Sequence, residues 1–214
     1  MSTRPIHHPL FARLYPAMAR AMEHGGMAEH RRALLRGLTG TVIEVGAGDG
    51  MNFQHYPPQV TRVLAVEPEP HLHGLARAAA TRAPVSVEVV DGLADRLPAE
   101  GGSADAVVAS LLLCSVADPA AALGEFRRVL TPGGQLRFLE HVRAETPGLR
   151  RIQRIMDATI WPRLAGGCHT GRDTVTTIEQ NGFGIEHLDR FRFPDAATPT
   201  SFHVLGTAVP GSRA

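Results

Sequence analysis

The feature that most constrains the fold is an apolar run, residues 42–45, that leads directly into a glycine-rich turn. The run is built from valine and isoleucine around one glutamate, which favours a buried strand. Gly46, Gly48 and Gly50 then permit backbone angles and close approaches that a side chain would block. A strand followed by such a turn, at the carboxyl edge of a sheet, is where doubly wound α/β folds bind a nucleoside cofactor.

The spacing of these glycines argues against a dinucleotide cofactor. The dinucleotide fingerprint places its third glycine three residues after the second, a position that Met51 occupies here. Asp49 lies inside the turn, where its carboxylate would repel a phosphate. With Glu44 just ahead of the turn, the spacing resembles that of Rossmann-like enzymes that use S-adenosylmethionine (SAM), which carries a sulfonium and an amino acid but no phosphate.

Acidic residues also follow the next two predicted strands. The second strand ends in Glu67, roughly 20 residues after the glycine turn, as expected of a carboxylate that binds a ribose; a solvated strand end is the alternative. The third strand leads to Asp91, which is placed to accept the adenine amino group. Gly92 and Leu93 can offer backbone and an apolar face to the ring.

Composition excludes several classes of function. The 214 residues suffice for one domain with a large core, and the net charge of +1 indicates no nucleic-acid partner. The first thirty residues lack the apolar run of a signal peptide or membrane anchor, so we expect a cytoplasmic monomer or homodimer without a membrane anchor. Cys114 and Cys168 show no CxxC spacing, and the adjacent Cys168–His169 pair would share a tetrahedral ion poorly, so no metal site is predicted.

Alternating strand and helix patterns predict a parallel sheet with right-handed crossovers. We expect a single domain, residues 1–214, in which helices at 1–38 precede a cofactor-binding core at 39–144 and a substrate-side part at 145–209. The first helices are interpreted as a lid over the cofactor and substrate, with a plain packing cover as the alternative. The predicted elements are helices at 9–38 with a break at Gly25–Gly26, 52–56, 70–82, 119–130, 149–164 and 173–181, and strands at 42–45, 61–67, 85–90, 104–110, 135–142, 185–191 and 202–209.

Together with residues 127–134, which precede the fifth strand, these features resemble class I SAM-dependent methyltransferases of the ubiquinone/menaquinone type over about residues 38–209. The resemblance implies a Rossmann-like, seven-stranded, mostly parallel sheet with helices on both faces and an antiparallel closing hairpin. It implies SAM as cofactor and S-adenosylhomocysteine as product. The cofactor contacts that we predict are Glu44, Gly46, Ala47, Gly48, Asn52, Glu67, Pro68, Asp91, Gly92, Leu93, Ser110, Leu111 and Ser115.

A narrower set of segments resembles the small-molecule thiol S-methyltransferases, which are membrane-associated in animals and have soluble bacterial relatives. That resemblance implies methylation of small alkyl or aryl thiols. This chain departs from it in lacking the hydrophobic amino-terminal anchor, which favours a soluble enzyme, and in carrying Cys168–His169 where a related pair can be two cysteines. The segments that carry the resemblance are 52–58, 111–116, 138–142, 161–162 and 167–174.

Four side chains are candidates for acting on the acceptor: His141, His169, Asp49 and Glu140. His141 follows the fifth strand, and His169 lies in a glycine-rich loop; an imidazole has a pKa near working pH and suits a general base. Asp49 is the third candidate, although it could instead hold the amino group of SAM or a helix start. The alternative for His141 is a hydrogen bond to a neighbouring loop, and the choice between the two histidines stays open.

The sequence thus predicts transfer of a methyl group from SAM to a small hydrophobic acceptor, with a thiol as the leading candidate. The segments expected to line the acceptor pocket are apolar or aromatic with few charges, which favours such a substrate. One alternative is O- or C-methylation of a phenolic or quinone-like compound. Another, of a different class, is a module that binds SAM without turnover.

Overall fold

The computed structural model describes residues 9–211, so the first eight residues of the predicted lid segment and residues 212–214 lie outside the described residues. The strands are β1 (Gly40–Val45), β2 (Val60–Val66), β3 (Val87–Val90), β4 (Ala104–Ser110), β5 (Leu130–His141), β6 (Phe183–Arg192) and β7 (Phe202–Pro210). They form one sheet in the order β3-β2-β1-β4-β5-β7-β6. The first five strands of this order, β3, β2, β1, β4 and β5, run parallel. Strand β7 is antiparallel to both of its neighbours, β5 and β6. The predicted Rossmann-like sheet with a closing hairpin is confirmed.

Helices cover both faces of this sheet. On β1, Ile43 and Val45 point to one face, where Phe126 and Ile178 pack, whereas Val42 points to the other face. This alternation divides the core into two clusters because successive strand side chains point to opposite faces. The helices are α1 (Pro9–Met22), α2 (Ala28–Leu35), α3 (Pro70–Ala80), α4 (Pro119–Val129), α5 (Pro147–Asp157), α6 (Trp161–Leu164) and α7 (Thr174–Gln180), with short helical turns at Glu23–Met27 and Phe53–His55.

Local sequence signals explain where several helices begin. The Asp118 carboxylate accepts a hydrogen bond from the backbone N–H of Ala121 at 3.0 Å, and Pro119 occupies the first turn of α4. This arrangement is an N-cap, since an aspartate and a proline suit the unpaired N–H groups of a helix start. Glu69 caps α3 in the same way.

Two predicted boundaries are wrong. The helix predicted over 149–164 is two helices, because Pro162 cannot continue the hydrogen-bond ladder and instead begins α6. Strand β5 begins at Leu130 rather than at residue 135, because Leu130 already pairs with Ala104. The pairing then shifts register before Gln135 pairs with Ala106, and Gly133 between them has a φ of +84°. Within residues 9–211, no helix is both long enough and apolar enough to cross a membrane. The division into a lid, a core and a substrate-side part stays a prediction.

Candidate active site

The glycine turn after β1 is tied to the end of β2. The backbone N–H of Gly46 donates to the Val66 carbonyl at 2.8 Å, and that of Gly48 donates to Oε2 of Glu67 at 2.8 Å. Oε1 of Glu67 accepts from the backbone N–H of Glu69 at 2.9 Å. Gly46 and Gly48 both have left-handed backbone angles, with φ of +70° and +59°, which glycine adopts without strain. Burial raises the pKa of the Glu67 carboxyl to about 7.

A cavity of about 210 Å³ opens beside this turn at the carboxyl edge of the sheet. Four residues predicted to contact the cofactor line it: Gly46, Pro68, Gly92 and Leu93. Leu112, from the loop after β4, forms the facing wall, and a side chain at Gly46 would come within 2.7 Å of it. The absence of a side chain at Gly46 thus leaves a space that a Cβ would fill. The cavity lies at the carboxyl ends of β1, β2 and β3, where the sequence predicted that the nucleoside binds.

Asp49 supplies a second feature that fits SAM. The residue is 92% buried, and its Oδ1 is buried without a hydrogen-bond partner among residues 9–211. Burial raises the pKa of this carboxyl. Since a buried charged oxygen without a partner is costly, the ammonium group of a bound amino acid is the kind of partner this position suits. SAM carries such a group, so the residues present fit the cofactor.

Glu44 and Asn52, two further predicted cofactor contacts, lie beneath the turn. The Glu44 carboxylate accepts hydrogen bonds from Nδ2 of Asn52 at 2.9 Å and from the Tyr56 hydroxyl at 2.7 Å. Oδ1 of Asn52 in turn accepts from Arg31 at 2.7 Å. All of these groups are buried, and burial raises the pKa of Glu44 to about 7. The geometry makes Glu44 and Asn52 supports of the turn, and their direct contact with the cofactor stays a prediction.

The remaining predicted contacts occupy different positions at the edge. Asp91 is exposed and stands directly before Gly92, and Ala47 is buried within the glycine turn. Ser110 ends β4, and its buried Oγ has no partner within the described part of the chain. Leu111 follows with φ of +56°, a left-handed angle that is unusual for leucine and typical of functional sites. The hydroxyl of Ser115 bonds to the Leu111 carbonyl at 3.4 Å.

The loop after β4 is held by the buried carboxylate of Glu140, one of the four candidates from the sequence. Glu140, in β5, is fully buried and accepts hydrogen bonds from three successive backbone N–H groups, those of Leu112, Leu113 and Cys114, at 2.8–3.1 Å. Burial raises the pKa of Glu140 well above its usual range. Glu140 therefore fixes both the wall of the cofactor cavity and the position of Cys114.

The structure separates the two candidate histidines by environment. Nδ1 of His169 lies 2.8 Å from the Gly167 carbonyl and 3.4 Å from the Arg172 guanidinium, so this ring is engaged within its own loop. Nδ1 of His141 instead lies 3.6 Å from Sγ of Cys168 and 3.9 Å from Sγ of Cys114. The two sulfur atoms are 3.8 Å apart. The sequence predicts no metal site, yet the fold brings three potential metal ligands together here.

His203 is a neighbour that sequence reasoning missed. Its ring centroid lies 4.4 Å from that of His141, and it is stacked on Phe191 at 5.3 Å. Its Nδ1 contacts the Ser201 carbonyl, and its buried Nε2 has no partner among the described residues. Burial lowers the pKa of His203 to about 3, so the ring is neutral at working pH. No local pattern marks this residue, because it lies on β7 and reaches His141 only through strand pairing.

Helix α1 connects the cofactor side of the edge with the loop that carries Cys168. Tyr15 packs on Gly48, where an added Cβ would approach its ring to 3.1 Å, and Phe11 packs on Gly166. The two rings contact each other with centroids 5.2 Å apart. Apolar side chains remain exposed on α1 and on the segment from α5 to α6: Leu10, Leu14, Met18, Ile152, Ile155, Ile160 and Leu164.

Comparisons with known proteins agree with this geometry. A family described as a methyltransferase domain matches residues 43–138. Human thiol S-methyltransferase TMT1B is 37% identical to the chain, across 94% of the chain and 84% of the relative. Human thiol S-methyltransferase TMT1A is 34% identical, across 79% and 70%. A solved complex of the Haloferax volcanii Trm112 methyltransferase activator with a methyltransferase contains a chain with the same fold, at 20% identity, a TM-score of 0.69 and coverage of 99% of this chain and 100% of that one.

Proposed function

The chain belongs to the class I SAM-dependent methyltransferases, in the family that includes thiol S-methyltransferases, and from this premise we propose that it methylates the sulfur of small hydrophobic thiols. The observation that carries the proposal is the near full-length similarity to a thiol S-methyltransferase. The similarity covers 94% of the chain. It therefore includes the loops and closing strands after the glycine turn and is not confined to the part expected to bind SAM.

The chemistry of a thiol acceptor suits the groups that the chain places at this edge. A thiol with a pKa near ~8.5 is already a few per cent thiolate at pH 7, so it needs little help to become a nucleophile. Bound SAM supplies a methyl group on a positively charged sulfur. The chain has to hold the acceptor sulfur roughly 3 Å from that methyl carbon and exclude water. We propose that the acceptor loses its proton at the His141 end of β5.

The surroundings favour an apolar acceptor. Helix α1 and the segment from α5 to α6 present leucine, isoleucine and methionine side chains at their surfaces, several of them about half exposed or more. Contiguous exposed apolar surface is uncommon on soluble proteins and marks binding regions. Helix α1 contacts the loop that carries Gly48 through Tyr15 and the loop that carries Gly166 through Phe11. A hydrophobic thiol would enter across such a surface more readily than a nucleotide or a charged peptide.

The test is a matched panel of acceptors that differ only in the reacting atom. Purified chain is incubated with SAM and either 4-chlorothiophenol or 4-chlorophenol, and with an alkyl thiol or its alcohol, and products are identified by mass. We expect methyl thioethers with formation of S-adenosylhomocysteine, and at least tenfold slower reaction of the oxygen analogues. Faster methylation of the phenol would instead establish the O-methyltransferase alternative and refute the thiol assignment. Glu67→Gln serves as the control with impaired cofactor binding.

A further inference from the structure

Cys114, His141 and Cys168 come from three separate segments of the chain and meet at one point. Cys114 lies in the loop after β4, His141 ends β5, and Cys168 lies in the loop after α6. Cys114 and Cys168 are 99% and 94% buried, and His141 is half-buried. Within residues 9–211, no fourth histidine, cysteine or carboxylate joins this group. Two thiols and an imidazole in contact form a set of ligands that is typical of zinc.

The distances between the three ligand atoms match a tetrahedral ion. Zn–S bonds of about 2.3 Å and Zn–N bonds of about 2.0–2.1 Å at tetrahedral angles place two sulfurs roughly 3.8 Å apart, and a sulfur and a nitrogen roughly 3.6 Å apart. The sulfurs here are 3.8 Å apart, and the two sulfur-to-Nδ1 distances are 3.6 and 3.9 Å. All three edges of the triangle therefore agree with the edges of a zinc tetrahedron to within about 0.3 Å.

We propose that Cys114, His141 and Cys168 bind one zinc ion and leave its fourth coordination position to an exogenous ligand. Two thiolates balance the charge of a divalent cation, which removes the cost of burying either alone. Three protein ligands with one open position are the pattern of catalytic zinc sites, whereas structural sites use four.

The protein positions each ligand with a separate contact. Glu140 holds the backbone of Cys114 through the hydrogen bond from its N–H at 3.1 Å. The backbone N–H of His169, next to Cys168, donates to the Cys114 carbonyl at 2.8 Å, which ties the two cysteine loops together. The His141 ring lies against the ring of His203, with centroids 4.4 Å apart. Outer contacts of this kind orient metal ligands, and they exist here without the ion.

Two further residues, Trp161 and Gly167, shape the segment that carries Cys168. The indole N–H of Trp161, which lies in the same segment as Cys168, is buried and has no hydrogen-bond partner among the described residues. Gly167 lies so close to the Ser115 carbonyl that an added Cβ would come within 2.7 Å of it. The loop that carries Cys168 can therefore approach Cys114 only because residue 167 has no side chain.

The open fourth coordination position of the zinc ion suits the sulfur of the acceptor thiol. This assignment rests on the proposed function. At this site, the His141 end of β5, an acceptor R–SH would bind the ion through its sulfur as a thiolate, and its proton would pass to solvent. A lone pair on that sulfur then forms the new S–C bond while the bond between the methyl carbon and the sulfonium sulfur breaks, and its electron pair stays on the departing sulfur. The overall balance is a thiol and SAM giving a methyl thioether, S-adenosylhomocysteine and one proton.

Metal content tests the site without reference to turnover. The full chain, purified with a reductant, is stripped with a chelator, exposed to Zn²⁺ alone, desalted and measured by plasma mass spectrometry. We expect one zinc per chain, reduced at least tenfold in Cys114→Ser, Cys168→Ser and His141→Ala and unchanged in His71→Ala, an exposed-histidine control. Uptake below a tenth of an equivalent by the reduced wild type would overturn the proposal, as would equal uptake by the double cysteine variant.

Cobalt supplies a readout that needs no variant. Co²⁺ added to the stripped wild type should give the intense visible bands of a tetrahedral ion and a near-ultraviolet thiolate-to-cobalt band, and 4-chlorothiophenol, but not 4-chlorophenol, should shift them. An octahedral spectrum, or a tetrahedral one equally present in Cys114→Ser, would overturn the site. If the thiol shifts the bands and yet is not methylated, the proposed function fails and the site stands. If Cys114→Ser without bound metal methylates thiols as fast as wild type, the role in turnover fails and the proposed function stands.

Discussion

The carboxylate of Glu67 joins the glycine turn after β1 to the start of α3. Its Oε2 accepts a hydrogen bond from the backbone N–H of Gly48, and its Oε1 accepts one from the backbone N–H of Glu69. A single side chain at the end of β2 thus fixes the shape of the turn that follows β1. Burial raises the pKa of Glu67 to about 7, so we expect its protonation state to affect SAM binding.

The first prediction concerns the pH dependence of SAM affinity. An ionised carboxylate can accept hydrogen bonds from two ribose hydroxyls, whereas a protonated one accepts fewer. We expect the Kd for SAM to fall about tenfold between pH 6 and pH 8, as the group ionises through its pKa. Calorimetry on Glu67→Gln should show weaker binding without this dependence, and Glu186→Gln, at an exposed position, should behave as wild type. A wild-type profile as flat as that of Glu67→Gln would contradict the assignment.

The second prediction compares two glycines. Gly46→Ala forces an L-residue into a left-handed angle, at about 1–2 kcal/mol, and places its Cβ 2.7 Å from Cδ1 of Leu112 in the cavity wall. We expect SAM affinity to drop at least tenfold. Gly124→Ala, at an exposed position of α4 with no heavy atom within 4 Å of the added Cβ, should leave the Kd unchanged and raise stability by roughly 0.5–1 kcal/mol. Equal Kd values for the two variants would disprove the close approach.

The third prediction tests whether α1 acts as a lid. Tyr15→Ala removes the ring that covers Gly48, so turnover should fall about tenfold or more while the melting temperature changes by only a few degrees. Arg13→Ala is the control, because Arg13 is exposed and lies two residues before Tyr15 on α1. Steady-state kinetics and thermal melts provide the measurement. Unchanged turnover in Tyr15→Ala would favour the alternative that α1 is a packing cover.

The fourth prediction concerns stability and Glu44. Its pKa in the folded chain, about 7, lies above the unfolded value of 4.5 because the carboxyl is buried. The folded chain therefore binds more protons between these values, so this group's contribution is fully present below pH 4.5 and is lost as the pH rises through 7. We expect the free energy of unfolding of Glu44→Gln, relative to wild type, to increase by up to roughly 3 kcal/mol across that window. Urea melts of both proteins at several pH values from 4.5 to 8 measure this difference. A difference in the free energy of unfolding that stays constant across this range would refute the prediction.

The sequence by itself determined the cofactor half of this protein. Residues 42–50 and the acids at strand ends specify a strand, a turn and a carboxylate whose spacing is local, so Gly46, Pro68, Gly92 and Leu93 could be assigned to the cavity before any coordinates. Local signals also set most helix starts, as the Asp118 cap shows. They failed where neighbouring strands or a proline overrode propensity, at Leu130 and Pro162.

Only the tertiary structure decided the cluster of Cys114, His141 and Cys168. Cys114 and Cys168 are 54 residues apart, and each alone looks like a small packing residue. They meet His141 because β4 and β5 are parallel neighbours that end at the same edge, while Gly167 lets a later loop close over them. Contacts between residues distant in the chain depend on strand order and loop closure, which no local pattern encodes. The physical reason is that periodicity and turn chemistry act over a few residues, whereas this cluster exists only once the whole sheet has assembled.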